Sequence, residues 1–137
     1  MKVKVLVEAA YRVVGVMNKG GCPALEFLTQ GEKSTEAART GMLRMMGEVA
    51  NRGLDGVPSG WYHEADKRHG IYEFIKGPLR LFFFKGSNGD IAVCTGGARK
   101  VGNKADKAAV GKAIDLKAAY VRALANKTYE VVEDENE

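Results

Sequence analysis

Three cations and three proton carriers crowd the middle of the sequence, and together they could hold a phosphodiester and move a proton on it. Arg80 stands inside the run LRLFFF, Arg99 and Lys100 follow CTGGA, and His63, His69 and Glu73 fall within WYHEADKRHGIYEF. An arginine carried on a strand beside a basic loop offers fixed donors to phosphate oxygens, in an arrangement that suits phosphate and transition-state contacts. Imidazole is the side chain best matched to proton transfer near neutral pH, and Glu73 is a further candidate base. Each has a plainer alternative. The histidines lie in a polar stretch suited to exposure or turn capping, and Glu73 is equally suited to a cross-strand ion pair with Arg80. An unpaired guanidinium buried among apolar strands would cost several kcal/mol, so Arg80 is either paired or at a surface that an anion reaches.

Three strands must position these groups. Alternation puts Ile71, Glu73 and Ile75 on one face and Tyr72 and Phe74 on the other, and then sets Leu79, Leu81 and Phe83 opposite Arg80, Phe82 and Phe84. Lys76-Gly77-Pro78 and Gly86-Ser87-Asn88-Gly89 break the run into two antiparallel hairpins, Asn and Gly supplying positive φ. A valine-rich strand is expected within 2–16, with Val3, Val5 and Val7 on one side. A short helix follows Pro23 through Ala24, Leu25, Phe27 and Leu28 and stops at Gly31. A longer one, capped by Ser34 or Thr35, carries Met42, Met45 and Val49 to a stop at Gly53 and should lie on the sheet. The last helix is expected from about Asn103 to Asn126, with Ala109, Ala113, Leu116, Tyr120 and Leu124 on an inner arc and Lys104, Lys107, Lys112 and Arg122 on the outer one. Val131-Val132 is compatible with one more short strand.

The chain of 137 residues, 45% hydrophobic and 28% charged, suits one domain over residues 1–127 followed by an acidic tail over 128–137. Its net charge of +4 hides an asymmetry: eight bases face two acids between Ala98 and Lys127, whereas the tail holds five acids and no base. A basic module of this kind suits a polyanionic partner. No apolar run approaches the roughly 20 residues that a membrane span needs, and the first residues are too interrupted by charge for a signal-peptide core, so a cytoplasmic protein without membrane association is expected. Cys22 and Cys94 make no metal-ligand spacing and are expected as reduced thiols; neither metal nor cofactor is expected.

The order strand, two helices, three-stranded meander, basic loop and helix resembles the RelE/ParE superfamily of toxin–antitoxin toxins, in its phage-derived HigB-like branch. The resemblance rests on Pro23-Ala24-Leu25-Glu26-Phe27-Leu28, on Gly70-Ile71-Tyr72-Glu73-Phe74, on Leu79-Arg80-Leu81-Phe82-Phe83-Phe84, on Gly97-Ala98-Arg99-Lys100 and on the Lys/Ala-rich helix, over roughly residues 20–125. It implies an α+β fold of RelE type, with a small, twisted, mixed but mainly antiparallel sheet, two N-terminal helices packed on it and a C-terminal helix. It further implies a ribosome-dependent mRNA endonuclease that inhibits translation and is neutralised by a cognate helix-turn-helix antitoxin. Arg80, Arg99, Lys100, His63 and Glu73 would then form the catalytic set, and Lys104, Lys107, Lys112, Arg122 and Tyr72 would contact RNA. Three positions depart from the branch: Ile75 stands where it usually has arginine, Phe83 where it often has tyrosine, and Ala98 where it has an aromatic. These departures favour the alternative within the same superfamily, a non-catalytic toxin that inhibits DNA gyrase or a partner kept for binding and repression. A general RNA-binding module is the third reading.

Overall fold

The computed structural model describes residues 1–100 and 106–133. A mixed sheet of seven strands forms its centre: β1 (Lys2–Glu8), β2 (Arg12–Val16), β3 (Tyr62–Asp66), β4 (Ile71–Lys76), β5 (Leu79–Phe84), β6 (Asp90–Arg99) and β7 (Glu130–Val132), in the spatial order β3-β4-β5-β6-β2-β1-β7. The strands β4 to β6 form an antiparallel meander with β3 paired antiparallel to its β4 edge, and β2 joins β6 in parallel, as β7 joins β1. The sheet is therefore α+β and mixed, as expected, but larger than the small sheet the sequence suggested. The valine-rich N-terminus is a hairpin of two strands rather than one, and Tyr62 to Asp66 adds a strand ahead of the meander.

Three helices cover the sheet: α1 (Pro23–Thr29), α2 (Glu36–Arg52) and α3 (Lys107–Ala125). Both faces of the meander are buried, which explains three consecutive phenylalanines. Phe83 joins Leu79, Leu81, Phe74 and Cys94 beneath α1 and α2, where Leu28, Met42, Met45, Met46 and Val49 pack. Phe82 and Phe84 join Ile71, Val14 and Val93 beneath Val110, Ala113 and Tyr120 of α3. Neither helical layer alone would hide the apolar surface that these strands carry. The expected turns are present, with Gly77, Asn88 and Gly89 at φ of 53°, 55° and 93°. Among the described residues, no helix is long and apolar enough to cross a membrane.

Helix ends differ from expectation in two places. Thr35 occupies the cap of α2, but its hydroxyl donates to the Glu32 carbonyl at 3.0 Å and accepts from the buried Arg39 instead of capping a helical N–H. At α3 the cap is Asp106, whose carboxylate accepts from the Ala109 N–H at 3.0 Å. Residues 103 to 105, where the sequence placed the first turn, lie outside the described residues.

One buried polar knot ties the layers together. The Asp90 carboxylate, 2% exposed at the start of β6, accepts from the Arg12 guanidinium through Nη2 at 2.7 Å and Nε at 3.0 Å, from the Tyr120 hydroxyl at 2.8 Å and from the Tyr129 hydroxyl at 2.6 Å. Burial opposes the charge on Arg12, but the hydrogen bond and field of Asp90 outweigh it and raise the guanidinium pKa. Burial, reinforced by Asp90 against the opposing Ser87 N–H, pushes the Tyr120 phenol up to about 12, and burial and Asp90 also raise Tyr129.

Replacing Asp90 by Ala should therefore lower stability by about 3 kcal/mol in urea denaturation, because Arg12 and two buried hydroxyls lose their acceptor. Both phenols are raised above the ordinary value near 10, so the stability they carry is complete below about pH 10 and lost as pH climbs toward about 12. A pH series of urea midpoints should be flat from about pH 7 to 9 and fall above 10, and Tyr129→Phe should shrink that fall.

Candidate functional site

The pairing of β3 with β4 sets His63 directly opposite Glu73, and the pairing of β4 with β5 sets Arg80 opposite Ile75, one diagonal step from Glu73 on the same face. The three side chains meet on the α3 side of the sheet. His63 Nε2 lies 3.0 Å from Glu73 Oε1, and Arg80 Nε lies 3.3 Å from the same oxygen. Glu73 is buried at 4% exposure, whereas the imidazole is 52% exposed. A buried carboxylate thus orients a solvent-facing imidazole through one ring nitrogen and leaves Nδ1 available for proton exchange, the geometry of an aligned general base.

Arg80 satisfies the first half of the requirement set by its sequence context: it is paired. Its Nη1 donates to the carbonyls of Gly77 at 2.7 Å and Leu79 at 2.9 Å, while the buried Nε faces Glu73 without an aligned hydrogen bond. The guanidinium therefore braces the β4–β5 turn and balances Glu73, rather than standing free in front of a phosphate.

The other expected members are distributed differently. Arg99 pairs with Leu79 in the ladder while Arg80 pairs with Ala98, so the two arginines point to opposite faces of the sheet. A single step of register separates them. Arg99 is exposed on the α1–α2 side, 3.8 Å from Glu32. Lys100 follows the last residue of β6, and its N–H donates to the Pro78 carbonyl at 2.7 Å, which holds the strand end against the β4–β5 turn. Tyr72 also lies on the α1–α2 side, stacked on Phe83 with ring centroids 5.5 Å apart and with Lys85 Nζ 5.1 Å from its ring centre. His69 is held at the β3–β4 turn by Asp66, whose carboxyl pKa is lowered chiefly by the His69 N–H. Lys107, Lys112 and Arg122 are exposed on α3 as the helical wheel predicted, and Lys104 lies outside the described residues. The basic helix is anchored at the same turn by Lys117, which donates to the His69 carbonyl at 2.8 Å.

Among the described residues, no group of three histidine, cysteine or acidic side chains is placed to hold a metal ion. Both cysteines are buried and unbridged, and burial raises both thiol pKa values. The groups that sequence reading overlooked are Arg39, Asp90 and the shared use of one Glu73 oxygen. A tyrosine on the apolar arc of α3 was the available signal for Asp90, since a buried hydroxyl needs a partner. No family model and no curated protein matches the chain.

Removing the guanidinium alone leaves Glu73 buried beside a half-exposed imidazole, so Arg80→Met should cost about 3 kcal/mol by urea denaturation. The double variant Arg80→Met, Glu73→Leu should recover at least half of that loss, because the uncompensated carboxylate is then gone.

Proposed function

We propose that this chain is a RelE/ParE-type toxin of the HigB-like branch, a ribosome-dependent mRNA endonuclease neutralised by a cognate helix-turn-helix antitoxin. One observation carries the reading: an exposed imidazole aligned by a buried carboxylate, on the sheet face that also carries the lysine-rich α3. Cleavage of RNA needs a base for the 2′-hydroxyl, cations for charge on the phosphorane and an in-line geometry. His63 takes the hydroxyl proton, Glu73 stabilises the imidazolium that results, and Arg80 holds Glu73 in place. Phosphate contacts fall to Lys100 and to Lys107 and Lys112 of α3. The order of elements supports the resemblance: a strand, two helices, the meander and a final helix occur in the family's sequence, framed here by β1, β3 and β7. Substrate positioning by the ribosome supplies what this partial set lacks.

A specific observation favours a second reading. Arg80 is committed to internal partners and Arg99 to the other face, so among the described residues these two guanidinium groups do not flank His63 as a free pair. A binding protein of the same fold, acting on gyrase or serving repression only, requires no such pair.

Controlled expression followed by mapping of transcript 5′ ends separates the two. The nuclease reading expects breaks at preferred codons in translated messages, and His63→Ala should reduce them at least about 100-fold. Intact messages accompanied by an SOS response would establish the second reading. Unchanged cleavage by His63→Ala would remove the imidazole from the mechanism.

A further inference from the structure

A second cationic surface lies on the opposite face of the sheet from His63. Along the outer side of α2 an open groove of about 580 Å³ is bordered by Lys33, Arg44 and Lys76, with Glu36 as its one acid. None of the three cations forms an ion pair among the described residues, in contrast to Arg12, Arg52, Arg80 and Arg99. Gly41 lines the groove where the Lys76 side chain crosses α2. A Cβ there would lie 2.5 Å from Lys76 Cε and 3.4 Å from Cδ, so the missing side chain opens a notch in the helix surface across which the Lys76 stem is laid. Glycine inside a helix is unfavourable by roughly 0.5–1 kcal/mol relative to alanine. Here it seats a cation between two others.

We propose that this groove docks the phosphate backbone of double-helical RNA. Charge selects a polyanion: three unpaired cations converge on a surface with one carboxylate. The lining selects paired over single-stranded RNA, because it contains no aromatic side chain on which an unpaired base would stack. Its position adds continuity. Lys76 ends β4 beside the Gly77-Pro78 turn, and Arg80 enters the same turn from the other face, so the groove and the Glu73 cluster border one turn. The inference rests on the RNA-directed reading above, but it concerns docking rather than cleavage.

The test measures binding of a 16-base-pair RNA duplex by fluorescence anisotropy across a salt series, in a His63→Ala background that removes cleavage. Combined Lys33→Gln, Arg44→Gln and Lys76→Gln should weaken binding at least tenfold at low salt and flatten the plot of log affinity against log salt by two to three contacts' worth. Lys67→Gln with Arg68→Gln, on the β3–β4 turn, should do neither. Gly41→Ala provides an arm that a structural role would not move: it should leave the melting temperature equal or higher while weakening duplex binding several-fold. Unchanged affinity and salt slope in the triple variant would overturn the proposal, as would equal competition by polyglutamate, which would mark the groove as a site for acidic protein. Groove-dependent binding without transcript cleavage by the unaltered protein would leave docking intact and remove the nuclease reading alone.

Discussion

The arrangement of layers depends on one carboxylate that never reaches solvent. Asp90 receives Arg12 from β2, Tyr120 from α3 and Tyr129 from the segment leading into β7, so a single buried group fixes the start of two parallel strands, one helix and the closing edge of the sheet. A carboxylate in such a place is tolerable only with its lone pairs filled, and three donors from three elements fill them. The helix cannot slide along the sheet without uncovering this charge. That restraint sets where α3 carries its lysines relative to β4 and β5, and hence where the basic helix lies with respect to His63 and Glu73.

The meander works by a different rule. With apolar layers on both sides, β4 and β5 are nearly continuous in hydrophobic residues, and Glu73 and Arg80 are the charged side chains set among them on the α3 side. Glu73 and Arg80 are there because each gives the other an alternative to water. The same pairing limits their chemistry. A guanidinium used to neutralise a buried carboxylate and to hold two carbonyls is an architectural cation, and the imidazole that the carboxylate aligns is the member of the cluster left facing solvent.

Much of this was legible in the sequence because it follows from periodicity. The strand faces of 71–84, the two turns, the methionine stripe of α2 and the inner arc of α3 all depend on local spacing, and each stands as the pattern predicts. The Glu73–Arg80 pair was readable as one of two options, since opposite charges one diagonal step apart in a hairpin are natural partners. What could not be read depends on long-range register. Nothing near Arg99 reveals that it pairs with Leu79 instead of Arg80, yet that one step decides which face it occupies. The meeting of Asp90 with residues 78 positions earlier and 39 later is likewise invisible to any local window. The groove beside Gly41 depends on a lysine of another element crossing the helix, so an isolated helical glycine gave only a propensity penalty and no indication of its use.

His63 is mounted on β3, an outermost strand of the sheet, held through one ladder to β4 and paired with no strand on its other side among the described residues. A side chain on such a rim is less rigidly set than one in the interior of the meander, since fluctuations of its strand are opposed from one direction only. Whatever settles along that margin also stiffens it. The freedom of the imidazole is therefore set by what lies against β3, since a strand paired along one edge takes its second support from whatever packs on the other.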